Sequence, residues 1–351
     1  MIKYLGSKRL LIPALTAASQ ALAAPGSRAL DLFSGTSRVG QALKRAGYRV
    51  HANDLNAYAA AIARCYIAAD ARSERSAAAE ILPILAQAEP VCGHFTQTWC
   101  EASRFFHPDN GARIEGMRQR LAELNLAEPL HSVVLTSLIE AADRVDSTTG
   151  VQMAYLKSWA PRALKPIELR LPELIDGGGS VSQLDAVEAA QAAGSVELAY
   201  LDPPYNQHSY VGNYHIWESL TLWDEPEVYG VACKRTDVRE RKSPFNSKRR
   251  IHAAFSEVLG ALDARTLLVS FNNEGYLSEE ELLELLAPHG EVAVSRFDYK
   301  RYVGAQIGVH NPQGRRVGKV SHLRNRELLF AVAPTSAQAS EAARAAERAM
   351  A

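Results

Sequence analysis

Short apolar runs bounded by turn residues recur along the chain and read as strands: 29–32, 49–53, 197–201, 266–271, 291–297 and 327–332. Helix-like sequence separates the early ones, the alternation of an open α/β sheet. Residues 57–88 are Ala-rich and predict helix, with Pro83 as a bend or boundary. From 90 to 172 the alternation lapses, and helical runs at 112–126 and 130–145 are joined by polar turns. Gly177-Gly178-Gly179 reads as a flexible hinge back to the sheet. The last two strands read as an antiparallel pair closing it. The Ala- and Glu-rich tail from Thr335 reads as a frayed helix or as disordered. The pattern predicts a catalytic domain of residues 1–89 and 173–332, an inserted, mainly helical lobe at 90–172, and a flexible tail at 333–351.

Chemistry concentrates after the run 196–201, in Asp202-Pro203-Pro204-Tyr205. Asp202 falls just past the carboxyl end of that strand, where open α/β sheets place their ligands. Two prolines fix two φ angles and remove two donors, so the carboxylate and the Pro203 carbonyl point in set directions. A carboxylate, a carbonyl and an aromatic ring suit a planar aromatic amine. Asp202 and Pro203 accept its two N–H groups, and Tyr205 stacks on the ring. The plain alternative is a rigid turn, since Asp-Pro is common there.

A second constellation lies in residues 29–37, Ala-Leu-Asp-Leu-Phe-Ser-Gly-Thr-Ser, a strand that runs into a small-residue turn and then a helix. Gly35 and Gly40 allow close approach, but the Gly-x-Gly-x-x-Gly fingerprint of dinucleotide sites is absent. Asp54 ends the next strand and is placed to accept the hydroxyls of a ribose, or else to cap the following helix. A nucleoside cofactor without pyrophosphate fits this arrangement, with S-adenosylmethionine as the obvious candidate.

Taken in order, Tyr4-Leu5-Gly6-Ser7-Lys8, Asp31-Leu32-Phe33-Ser34-Gly35-Thr36, Asp54 and Asp202-Pro203-Pro204-Tyr205 resemble the Dam-like DNA adenine methyltransferases, alpha group. Stretches at 150–157, 243–249 and 269–275 are similar too, so the resemblance spans roughly residues 1–332. Tyr4 stands where many relatives carry Trp. The resemblance implies a class I, Rossmann-like methyltransferase sheet with an inserted, mainly helical target-recognition lobe. It also implies a site-specific enzyme that methylates a flipped adenine in double-stranded DNA, of bacterial or phage origin, in restriction–modification beside a cognate endonuclease. Asp202, Pro203, Pro204 and Tyr205 are the implied catalytic residues. Tyr4, Lys8, Asp31, Phe33, Gly35, Thr36, Asp54, Leu55 and Asp202 are implied to hold the cofactor, Lys8 near its charged end with the cofactor carboxylate as partner. Asp185 accepts from the cofactor's adenine amine or simply caps a helix.

Charge adds a distribution rather than a balance. Lys+Arg and Asp+Glu both number 39, so there is no global attraction to nucleic acid. Eight Lys or Arg fall within 233–250 against Asp237 and Glu240, and eight within 296–326 against Asp298. Two basic segments on a neutral chain suggest a phosphate-binding face, or two solvated loops. Tyr155, Lys157, Lys248, Arg249 and Arg250 are the candidate DNA contacts. The four cysteines lack Cys-x-x-Cys spacing, so no zinc site is expected and the chemistry needs no metal. No apolar stretch approaches the roughly 20 residues that span a bilayer, and the start lacks a signal-peptide core, so a cytoplasmic protein is expected. Two other functions remain open: methylation of an exocyclic amine in ribosomal RNA, and a non-catalytic cofactor-binding DNA-binding protein. The intact Asp202 tetrapeptide argues against the second, and a nicotinamide oxidoreductase is disfavoured by the missing glycine fingerprint.

Overall fold

The computed structural model describes residues 1–300, 309–310, 316–318 and 324–351, and the side chains of 1–298 and 326–351. Seven strands form one sheet: β1 (Arg28–Asp31), β2 (Arg49–Asn53), β3 (Ser180–Ser182), β4 (Val196–Leu201), β5 (Ala264–Asn272), β6 (Glu291–Lys300) and β7 (Arg324–Ala333). Their order is β3-β2-β1-β4-β5-β7-β6. The first five pair in parallel, and β7 runs antiparallel between β5 and β6. This is the open, Rossmann-like α/β sheet that the resemblance implies, and the closing antiparallel pair is where the hydrophobic pattern predicts it.

The strands alternate their buried residues between two layers. Leu198 and Tyr200 of β4 join the larger core cluster, which includes Ala14, Leu15 and Ala18 of α1 (Ile12–Leu22). Ala199 and Leu201 join the smaller one on the opposite face, with Phe255 and Val258. A strand covered on both faces needs a near-continuous apolar run, and 196–201 supplies one. Strand order reverses between β1 and β4, which opens a crevice at their carboxyl ends and sets the place for chemistry.

The helices of the expected lobe are real, at α5 (Pro108–Glu123) and α6 (Leu130–Arg144), after α2 (Arg38–Arg45), α3 (Ala57–Ala63) and α4 (Ala71–Ala86). Ile114, Met117, Val133 and Leu138 belong to the same apolar cluster as α1 and α3, so one core runs through both parts of the chain. Pro83 does not bound α4, which continues to Ala86.

Two further expectations are corrected. Gly179 is a close-approach glycine rather than a hinge: its N–H donates to the Ile67 carbonyl at 2.9 Å, and a Cβ there would lie 2.5 Å from the Val50 carbonyl. The tail is no flexible segment. Residues Ser336–Arg348 form a helix that buries Ala339, Ala342 and Ala346 against α1 and β6, an alanine stripe that lets backbones approach closely. Gln338 Nε2 donates to the Leu22 carbonyl at 2.9 Å, and Ser295 Oγ to the Ala343 carbonyl at 2.9 Å. The strand β3 was not expected at all. Most of the second basic segment, 301–308, 311–315 and 319–323, lies outside the described residues. Among the described residues no helix is long and apolar enough to cross a membrane.

Candidate active site and cofactor pocket

A cleft of about 1100 Å³, counted with the solvent at its mouth, opens at the carboxyl ends of β1, β2 and β4. With that solvent included it lies just above the range typical of small-molecule sites, ~300–1000 Å³. Tyr4, Lys8, Asp31, Phe33, Gly35, Thr36, Asp54, Leu55, Asp185, Asp202 and Pro204 all border it. The structure thus brings together the residues singled out from five separate stretches of sequence. Pro203 is buried, and Tyr205 packs its ring on Phe271 with centroids 5.3 Å apart.

At the β4 end, Lys8 Nζ lies 2.9 Å from Asp202 Oδ1 and 2.7 Å from Glu327 Oε1 of β7. Lys8 and Glu327 are almost fully buried, at 6% and 2% exposure. Burial works against the ammonium, but Asp202 and Glu327 outweigh it and hold Lys8 well above the usual lysine range. Burial pushes the Asp202 carboxyl up to about 6, with Lys8 opposing and Glu327 adding to the rise. An amine clamp needs the ionised carboxylate, so turnover is expected to fall as pH drops through about 6. A pH profile of kcat checks this, and a rate still level at pH 5 would remove Asp202 from the reacting form.

At the β2 end, Asp54 Oδ2 accepts the Gly35 N–H at 2.9 Å, and Oδ1 accepts the Asn56 N–H at 2.9 Å. Burial raises the Asp54 carboxyl, and these amide bonds oppose the rise. Asp54 therefore fixes the glycine turn as well as facing the cleft. Asp54→Ala should weaken cofactor affinity by about 10-fold or more while DNA affinity changes little, as isothermal titration with each ligand will show; equal loss of both would mean general damage. Asp31 Oδ2 takes the Gly40 N–H at 2.9 Å, and burial lifts that carboxyl to about 7. Asp185 does cap its helix, Ala186–Ala193, accepting the Val187 N–H at 3.0 Å, and still borders the cleft.

The aromatic residue at position 4 sits in a stack. Tyr4 lies 5.2 Å from Tyr210 and 4.7 Å from Tyr214, ring centre to ring centre, and its ring would crowd a Cβ at Gly35, 3.1 Å away, where φ is +50°. Sequence reasoning missed Tyr210, Arg241 and Glu327. Glu218, on the helix His215–Leu222, accepts the Ala57 and Tyr58 N–H groups at the start of α3 and pairs with Arg241 at 2.6 Å. For Glu327 a signal exists: alternation puts it on the same face as the buried Leu329 and Ala331, and an inward acid needs a partner.

The candidate DNA contacts are not in the cleft. Tyr155 bridges to Thr148 and stands edge-on to Phe105 at 5.3 Å; Lys157 is exposed. Within the first basic segment, Arg235 is spent on Asp224 and Asp237, and Arg241 on Glu218. Lys242, Lys248, Arg249 and Arg250 are exposed, the last three just before the helix Ile251–Ala261.

Residues 4–283 match the D12 class N6 adenine-specific DNA methyltransferase family. The chain belongs to that family. Among similar proteins, this D12-class chain is 31% identical over 304 residues to Type II methyltransferase M.NlaIII of Neisseria lactamica, covering 84% of this chain and 89% of that protein. It is 30% identical over 298 residues to Type II methyltransferase M.FokI of Planomicrobium okeanokoites, covering 78% of this chain and 45% of that one. Modification methylase StsI of Streptococcus sanguinis is 26% identical over 326 residues, 87% of this chain and 50% of StsI. The chain thus spans most of the first relative and about half of the other two.

Proposed function

We propose that the chain moves a methyl group from S-adenosylmethionine to the 6-amino nitrogen of an adenine flipped out of double-stranded DNA. It does so at a defined sequence, as the modification partner of a restriction endonuclease in the cytoplasm. The observation that carries this reading is the placement of Asp202 in one cleft with Asp31 and Asp54, at the reversal of strand order. A nucleoside with a charged tail suits the groups there: Asp54 and Asp185 accept from hydroxyls and an amine, while Phe33 and Leu55 offer apolar surface. Bound S-adenosylmethionine supplies a methyl group on a sulfonium leaving group.

The rest is work for the chain's own side chains. Adenine's amino lone pair is delocalised into the ring, so the amine is a poor nucleophile. Lys8 engages Oδ1 of Asp202, and among the described residues Oδ2 has no partner, which leaves it for one amine N–H. The Pro203 carbonyl takes the other and draws the nitrogen toward tetrahedral geometry. Positive charge then develops against a preorganised carboxylate, and the methylated nitrogen loses its proton to water. Flipping the base costs a few kcal/mol, and stacking on Tyr205 returns roughly 1–3 kcal/mol.

Residues 90–172, with Tyr155 and Lys157, form the surface that reads base edges, while Lys248, Arg249 and Arg250 contact phosphates. Three cations at the start of a helix sit against its dipole, an arrangement that a polyanion relieves. Replacing all three with Ala should flatten the salt dependence of DNA affinity, by about 0.9 in slope for each phosphate no longer neutralised. An unchanged slope would take this turn out of the interface. The function itself is tested by tritiated methyl transfer to unmethylated DNA, with ribosomal RNA in parallel and digestion of the products to nucleosides. N6-methyl-2′-deoxyadenosine from the DNA digest is the expected labelled product, and label in RNA alone would overturn the reading.

A further inference from the structure

Lys8 is committed to two carboxylates, Asp202 and Glu327, so the carboxylate of a bound cofactor would be a third anion on one ammonium. Its counter-charge is better sought elsewhere in the cleft, and one is present. Arg38 opens α2 and borders the cleft, yet makes no ion pair among the described residues, and its buried Nε has no hydrogen-bond partner. Burial lowers the guanidinium pKa and nearby Arg9 adds to the effect, with Tyr66 and Glu140 opposing it only in part.

The neighbouring polar atoms share this condition. The hydroxyls of Ser7 and Ser34, both bordering the cleft, are buried without a partner, and Ser34 is only 8% exposed. The first-turn amides of α2 have no acceptor within the helix, and its dipole adds partial positive charge. On the acceptor side, Asp31 is 1% exposed and its Oδ1 is likewise unpartnered. Buried polar groups are rarely left unsatisfied, and an unmet one costs free energy that a matching ligand recovers. Orphaned donors and an orphaned carboxylate oxygen on residues that border one cleft are the complement of a zwitterion.

We propose that Arg38, with Ser7 and Ser34, binds the carboxylate of the cofactor's amino-acid tail, and that Asp31 Oδ1 accepts from its ammonium. The inference rests on the methyltransferase reading above and reassigns the carboxylate from Lys8 to Arg38. Lys8 then serves the catalytic carboxylate alone.

The test is isothermal titration of the full chain with two ligands. S-adenosylhomocysteine carries the whole zwitterion, and 5′-methylthioadenosine has the nucleoside and sulfur without it. Arg38→Leu should weaken S-adenosylhomocysteine by roughly 10- to 100-fold, the worth of a charged hydrogen bond, and leave methylthioadenosine unchanged. Arg38→Lys should recover part of the loss. Arg38→Gln serves as a second variant should the leucine protein fold poorly. Equal weakening of both ligands, or no change in either, overturns the subsite. A wild-type chain that binds neither ligand overturns the methyltransferase reading itself, which keeps the two failures apart.

Discussion

Asp202→Ala is expected to lower the rate of methyl transfer by about 10³-fold or more while cofactor and DNA still bind. Removing one preorganised neutral donor from a comparable electrostatic site costs about 10²–10³ in kcat, and Asp202 faces the developing charge with a full carboxylate. The variant should also fold at least as stably as the parent at neutral pH. A carboxyl whose pKa rises from the ordinary value near 4 to about 6 on folding is disfavoured when ionised. That cost is absent below the unfolded value and complete above about 6, so the alanine removes it at pH 7. Lys8 keeps Glu327 as its partner, which leaves no bare buried cation. Single-turnover rates beside thermal melts measure both effects. Near-normal turnover would end the catalytic assignment, and a collapsed melting temperature would make the lost activity uninformative.

Lys8→Met is the second large effect, and it works through charge rather than contact with substrate. Without the ammonium, Asp202 and Glu327 are two buried carboxylates with no cation between them. Removing one partner of a buried ion pair typically costs about 3–5 kcal/mol. Lys8 also opposes the rise of the Asp202 carboxyl, so its loss moves that pKa above about 6. The expected result is a lower melting temperature and an acid limb of the kcat profile displaced to higher pH, with partial recovery in alkali. Adding Glu327→Gln removes the second carboxylate and should restore part of both properties, a non-additivity that a double-mutant cycle reads directly. An unmoved acid limb in Lys8→Met would show that the pair only packs.

Much of the architecture was legible because its signals are local. The run 196–201, buried on both faces, reads as an inner strand, and the residue after it falls at the chemical end of the sheet. The apolar run 328–332, likewise buried on both faces, marks the last strand for the same reason. What escaped depends on partners distant in sequence or on weak side chains. Strand β3 is Ser-Val-Ser and carries no apolar run; it is held to β2 by His51, whose Nδ1 and Nε2 lie 2.7 and 2.9 Å from the hydroxyls of Ser180 and Ser182. The docking of the C-terminal helix escaped because its buried face is alanine, which carries little hydrophobic signal but allows close approach. Lys8 was visible as a motif lysine, yet its second partner sits on the last strand of the sheet, and only the fold brings them together. The same holds for Arg38, whose significance lies in what it does not touch.

The most direct test of the central claim is to methylate a plasmid that lacks modified bases with the purified chain and S-adenosylmethionine, then map every modified base by single-molecule sequencing. The predicted result is N6-methyladenine confined to one short recurring sequence, and none with Asp202→Ala. Methylation on another base, or its persistence in the Asp202→Ala product, would contradict it.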